Sequence, residues 1–277
     1  MQKKSLEDII EKLENGIKDV MTSDRFAEWL KFASSFHKYS FGNAMLIFLQ
    51  NPKATMVKGF GEWKKDGRYV KKGEKAIKIL APIVKKKDKS EDSDDKSDKH
   101  EIVGFRYVNV FDVSQTKGKE LPCVTPKLLE GGNEEQEKLL ASWIKALSVP
   151  VIFKDTGEAN GYFHLKENYI AIHRDRSVIQ QLKTLIHEYA HYLLHRKDGG
   201  EFKDVTIDIK EAQAESIAYV VMNHFNFDTS EYSFSYIAGW SQDINVMKKI
   251  GDQIIKSSHQ IIEKLNKAAD NQEQEIA

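Results

Sequence analysis

The chain has 277 residues, 40% hydrophobic and 30% charged, with 42 basic side chains against 42 acidic ones. That is the composition of a soluble globular protein long enough for two domains, and no run of residues is apolar enough for a membrane span. The single cysteine, Cys123, excludes an internal disulfide and any cysteine-rich metal site. The opening Met1-Gln2-Lys3-Lys4 is not that of a secretory signal, so a cytoplasmic location is expected.

The zero net charge is unevenly spread. Between Lys53 and Lys87 stand twelve Lys or Arg against three acids, Glu62, Asp66 and Glu74, while the acidic compensation lies in Asp88 to Asp98 and further on. So dense a cationic segment favours phosphate contacts, and a solvated face is the bland alternative.

In chain order, Leu6, Ile9, Ile10, Leu13, Ile17 and Val20 recur at helical spacing. A second helix is expected after the cap signal Thr22-Ser23-Asp24, through Phe26, Trp29, Leu30, Phe32 and Ala33. A third runs from about Phe41 to Gln50 and stops before Asn51-Pro52. Between these two lies an aromatic and polar cluster, Phe36-His37-Lys38-Tyr39-Ser40-Phe41-Gly42-Asn43. The pattern then changes to strands: Ala54 to Phe60, Ala76 to Pro82 and Ile102 to Asp112, punctuated by Asp-Gly and Lys-Gly turns. Residues 85 to 101 are almost wholly Lys, Asp, Glu and Ser, too polar to pack, and read as a disordered charged hairpin tip.

Single-stranded nucleic acid is held by cations that track phosphates and by aromatic faces on which bases stack. Lys58, Lys64, Lys65, Arg68, Lys71, Lys72 and Lys75 could supply the first; Tyr39, Trp63 and Tyr69 could supply the second, with core packing the competing reading for Trp63. Asn43 and Gln50 could contact bases or cap helices.

Over roughly residues 5 to 122 the ordered series Tyr39-Ser40 with Asn43, Gln50-Asn51-Pro52-Lys53-Ala54-Thr55, Val57-Lys58-Gly59-Phe60 with Trp63-Lys64-Lys65, Gly67-Arg68, Val70 to Ile77 and Phe105 to Thr116 resembles the N-terminal domain of the ArdC antirestriction family. The resemblance implies a domain that binds single-stranded DNA without strong sequence preference, joined to a zinc metallopeptidase-like domain, in protection of a mobile element from restriction during transfer.

Pro126 and Gly131-Gly132-Asn133 break the strand pattern, so a linker is expected at 126–136, between a domain of residues 1–125 and one of 137–277. A helix from Gln136 to Leu147 and three short strands follow (149–154, 161–165 and 169–172), the last two turning at Lys166-Glu167-Asn168. Then comes His187-Glu188-Tyr189-Ala190-His191, the pattern H-E-x-x-H. On a helix its histidines project from one face, one turn apart, and can share a metal ion, Zn2+ being expected. Glu188 lies about 100° round the helix and could hold a water without being a ligand.

Twenty residues on, Lys210 to Tyr219 reads as a second helix in which Glu211 can supply a third ligand and Glu215, one turn later, can orient a ligating histidine. The pattern is similar to the second zinc-binding helix of thermolysin-like peptidases and closer to that of ImmA/IrrE-type metallopeptidases. Glu215 and Ile217 replace the usual Asn or Asp and Phe, which leaves the roles of Glu211 and Glu215 open to exchange. Zincin folds set a small sheet before the H-E-x-x-H helix, with an edge strand that can pair with an extended peptide. A helical tail opens at 234–240 and carries an apolar stripe from Ile244 to Leu265, and residues 270–277 read as frayed. Tyr219 or Tyr236 could donate to an oxyanion, packing being the competing reading for both.

The expected whole is α+β: helices and an antiparallel sheet that bind single-stranded DNA, then a zincin-like domain acting on a protein or peptide, with no membrane partner. The competing readings are a regulatory metallopeptidase that cleaves a repressor and a DNA-binding protein whose zinc site is catalytically silent. Phosphodiester hydrolysis fits less well, since it commonly uses carboxylate-rich two-metal sites.

Overall fold

Three helices open the chain where the periodicity predicts them: α1 (Gln2–Met21), α2 (Arg25–Phe36) and α3 (Phe41–Gln50). The computed structural model describes residues 2–86, 100–121, 133–196, 206–227 and 243–276. Asp24 takes the N-cap position of α2 with helical backbone angles and makes no side-chain cap bond; the amide of Arg25 instead donates to the Ser23 hydroxyl at 3.4 Å.

The chain divides into two compact units, one of Met1–Gly16 and Gly42–Leu121, the other of Ile17–Phe41 and Pro122–Ala277. Residues 17–41 therefore go with the C-terminal half, unlike the expected division at 125. The reason is the apolar burden of α2, which buries Phe26, Trp29, Leu30, Phe32 and Phe36 and packs on α7 (Ile207–His224).

The first unit is built on an antiparallel sheet of order β1-β4-β3, from β1 (Val57–Gly59), β3 (Ile77–Lys86) and β4 (His100–Asp112), with β2 (Arg68–Val70) paired to β5 (Thr116–Gly118) beside it. Between β1 and β2 stands α4 (Phe60–Lys65), a helix whose first residue, Phe60, is the last of the strand that the sequence pattern predicts. Strands β3 and β4 form a hairpin in register from Ile77↔Val110 to Lys86↔His100; the tip, residues 87–99, lies outside the described residues. Only the root of the hairpin is half-buried. Ile83, Val84, Ile102, Val103 and Phe105 are exposed, because among the described residues no second layer covers that end.

β3 is an edge strand, and its outward backbone groups need partners. Two amides of α3 supply them. Asn43 donates to and accepts from Leu80 at 2.8 Å each way, and Gln50 does the same with Lys78 at 2.9 Å. Seven residues apart, the two side chains stand two helical turns apart and match alternate residues of the strand.

At the other end of β4, Asp112 is 1% exposed. Its carboxylate accepts from the amides of Thr55, Met56 and Ser114 and from the Ser114 hydroxyl. Burial pushes this carboxyl up, but the hydrogen bonds outweigh it and hold it below the ordinary value. A depressed folded pKa contributes stability that is complete above the unfolded value of about 3.9 and lost as pH falls through the lower folded one. Asp112→Asn is expected to cost about 2 kcal/mol or more at neutral pH, by leaving a buried donor facing donors. In urea denaturation the gap to the wild type should close as pH drops below about 4; a gap independent of pH would refute the charged-acceptor account.

The second unit holds α5 (Asn133–Leu147), a three-stranded sheet of β6 (Val151–Lys154), β7 (Gly161–His164) and β8 (Tyr169–His173), then α6 (Val178–His195), α7 and α8 (Ile244–Ile276). The expected linker region 126–136 is helical from Asn133 on, and residues 122–132 lie outside the described set, as does the helix opening expected at 234–240. Strand order is β6-β8-β7, with β6 parallel and β7 antiparallel to the central β8. Ile170, Ala171 and Ile172 are fully buried, as are Leu182, Leu185, Ile186 and Ala190 of α6. The stripe of α8 is core from Met247 to Leu265, and the backbone stays helical to Ile276 where fraying was expected. No helix among the described residues is long and apolar enough to cross a membrane.

Candidate metal centre and cationic surface

Helix α6 begins at Ser177, whose hydroxyl caps it by accepting from the amide of Gln180, and α7 begins at Thr206, which caps through Ile209. The two helices lie side by side and turn His187, His191 and Glu211 toward one point. The Nε2 atoms of the histidines are 3.1 Å apart; Glu211 places one carboxylate oxygen 3.3 Å from His187 Nε2 and the other 3.4 Å from His191 Nε2. Ligands bound tetrahedrally at about 2.0–2.1 Å lie roughly 3.3 Å from one another, so the donor set fits a small divalent cation.

The imidazoles are held from behind. His187 Nδ1 donates to Glu215 at 3.2 Å, and Lys183 braces the other Glu215 oxygen at 3.0 Å. His191 Nδ1 meets His195 Nδ1 at 2.9 Å, and His195 Nε2 donates to the Gln213 carbonyl oxygen at 3.2 Å; the Gln213 amide donates in turn to Gln253 at 2.6 Å. This chain fixes the tautomers. With its Nε2 proton on Gln213, His195 must accept at Nδ1, so His191 donates there and turns its Nε2 toward Glu211. On sequence His195, one turn beyond His191, competes with Glu211 as a third ligand and fits that role less well; here it lies behind His191 and hydrogen-bonds to it.

The charges agree with this arrangement. Burial alone would lower His187, but Glu211 and Glu215 outweigh it and raise its pKa to about 9, so the field at this point favours positive charge. Glu211 is held well below the usual carboxylate range by His187 and His191. His195 is lowered to about 4, chiefly by burial, and stays neutral. Glu188 is 8% exposed and burial pushes its carboxyl up, the direction that suits a proton acceptor. It faces a cleft of about 420 Å3 lined by His187, His191 and Glu211 and, on the opposite wall, by Gly161, Tyr162 and Phe163 of β7. β7 is an edge of its sheet. At Gly161 a Cβ would meet the Ala171 carbonyl oxygen and the Thr184 methyl, both at 2.5 Å, so glycine lets the strand lie close on α6. Tyr219 is 8% exposed on α7, and Tyr236 lies outside the described residues.

His195→Ala is expected to weaken metal affinity about 10- to 100-fold while leaving the fold intact, the usual cost of losing a partner behind a ligand. Competition titration against a chelator measures it, and an unchanged affinity would remove His195 from the relay.

The cationic residues of the first unit separate into two groups. Several are tied into the fold. Arg68 donates to the Thr116 hydroxyl and carbonyl, Lys71 to the Ser114 carbonyl, Lys58 pairs with Asp66 at 2.6 Å and Lys65 with Glu62 at 2.7 Å. Lys64, Lys72 and Lys75 are exposed. Trp63, considered as a stacking platform, is fully buried, and its indole N–H donates to the Phe111 carbonyl at 2.8 Å; its ring is core because α4 turns it inward. Asn43 is likewise engaged with the Leu80 backbone and not free for bases. Tyr39 falls in the second unit, half-buried against Phe36. Exposed rings do occur nearby in the first unit: Tyr69 on β2, and Phe60, one turn before Lys64 on α4, where the sequence pattern predicts the end of a strand.

Comparison with known proteins follows the order of the parts. Residues 1–111 match the family described as the N-terminal domain of anti-restriction factor ArdC, and residues 144–251 match the M78 peptidase family, described as the IrrE N-terminal-like domain. An uncharacterised protein of Bacillus anthracis is 28% identical over 282 residues, a match that takes in 87% of this chain. The chain spans only about half of that relative, 47% of its length. The metal-free crystal structure of antirestriction protein ArdC from plasmid R388 is similar in fold, with a TM-score of 0.54 at 18% identity over 84% of this chain and 86% of that one. Its Mn(II)-bound form gives 0.50 at 17%, over 84% and 90%.

Proposed function

For a chain with the ArdC-like architecture, an ArdC N-terminal domain followed by an IrrE-like M78 domain, we propose a single-stranded-DNA-binding protein with a zinc metallopeptidase-like domain that protects a mobile element's DNA from restriction during transfer. The observation that carries the enzymatic half is the convergence of His187, His191 and Glu211 beside a buried Glu188, in a cleft walled by an edge strand. Zn2+ held by these three residues would lower the pKa of a water and polarise a peptide carbonyl. Glu188 would accept the water's proton and return it to the departing amine. The edge of β7 would hold the substrate main chain by strand pairing, which favours a protein or peptide over a small molecule. Glu215 and His195 would keep the imidazoles aimed.

The binding half rests on Lys64, Lys72 and Lys75 together with the exposed rings of Phe60 and Tyr69, a combination suited to phosphates and unpaired bases. The test uses the full chain, since residues 17–41 pack with the second unit and a fragment ending at 125 would strip α2 of its partners. Fluorescence anisotropy of a labelled oligonucleotide, single-stranded and duplex, is followed over a range of salt. Binding that prefers the single strand and weakens steeply with salt is expected, with a shallower salt slope when Lys64, Lys72 and Lys75 are all changed to Ala. No binding at low salt would sink this half and leave an intracellular metallopeptidase, for which cleavage of a repressor protein is the alternative reading.

A further inference from the structure

The polar cluster at the junction after α2 has no part in the site described above. His37 is the C-cap of α2, and it is 5% exposed. Its Nδ1 donates to the carbonyl of Ser34 at 3.1 Å, so its Nε2 carries a lone pair, and that atom is buried with no hydrogen-bond partner. Facing it from α8 is His259, whose Nδ1 is also buried and unpartnered; the two rings lie 5.4 Å apart. Glu263 stands one turn after His259. Ligand-capable atoms of His37, His259 and Glu263 all lie within 4.8 Å of one another. His224 flanks the group, its ring edge-on to His37 at 4.7 Å and its Nδ1 donating to the same Ser34 carbonyl at 3.0 Å.

Two buried imidazole nitrogens without partners, on rings that each bring a nitrogen within 4.8 Å of one carboxylate, are an arrangement that folding does not favour for its own sake, because each forgoes the hydrogen bonds it had in water. A borderline divalent ion satisfies all three at once, and imidazole with carboxylate is a donor set that suits zinc-type ions. We propose that His37, His259 and Glu263 form a second divalent-metal site, separate from His187, His191 and Glu211, which clamps the end of α2 to α8. The group that opposes binding is Lys38, whose ammonium lies 3.6 Å from Glu263 at an exposed position and can swing into water.

The test is a Co(II) titration of metal-stripped, tag-free full chain, with bound metal counted after equilibrium dialysis. Two ions per chain are expected in the wild type, one in His259→Gln, one in His191→Gln and none in the double variant. Glu263→Gln, at a partly exposed position, keeps the test decisive should His259→Gln fail to fold: it should lower affinity for the second ion at least tenfold. In His191→Gln, Co(II) should raise the melting temperature, since the remaining ion ties two helices together. One ion per chain in the wild type, or two that neither His259→Gln nor Glu263→Gln disturbs, would overturn the assignment.

Discussion

Glu188→Gln should fold, bind metal like the wild type and hydrolyse protein substrates at least 100-fold, and up to about 10,000-fold, more slowly, the range that general-base catalysis supplies. The substitution keeps the shape of a side chain that is 8% exposed, and an amide oxygen can still accept from the backbone of Phe163. It removes only the ability to take a proton. None of His187, His191 and Glu211 is touched, so metal content measured in parallel separates chemistry from assembly. Cleavage of an unfolded protein at one rate by both forms would take Glu188 out of the reaction. A wild type that loads metal, binds single-stranded DNA and cleaves nothing would favour the silent-site reading, in which the second unit serves binding alone.

Trp63→Ala is expected to cost the first unit about 3–5 kcal/mol, the range for deleting a large buried ring. Its side chain is fully buried under α4, and the indole N–H is the partner of the Phe111 carbonyl, which would be left buried and unsatisfied. Chemical denaturation followed by a probe in the first unit should show a lower midpoint. DNA binding should be lost only where that unit unfolds. Changing Lys64, Lys72 and Lys75 to Ala should do the reverse, leaving the midpoint in place while flattening the salt dependence of binding. A Trp63→Ala protein that stays folded but loses single-strand binding would return the ring to the interface.

The sequence determined what depends on local spacing. His187 and His191 share a helix, so four residues of separation are enough to set them on one face, whatever surrounds them. The helices α1 to α3, the hairpin and the apolar stripe of α8 follow equally from periodicities of 3.6 and 2. The short helix α4 did not show itself, because six residues carry less than two full turns of pattern. Roles that depend on what lies across a gap were decided by tertiary structure. Glu211 and Glu215 are one turn apart and chemically alike, yet the approach of α7 to α6 sets Glu211 against the two Nε2 atoms and Glu215 behind His187, where Lys183 holds it. Asn43 and Gln50 serve the open edge of β3, which lies 28 or more positions away in the chain. His37 and His259 meet across more than two hundred residues. Spacing along one element fixes direction, since a helix has a single geometry; contact between elements depends on how their faces pack, and no local pattern encodes that.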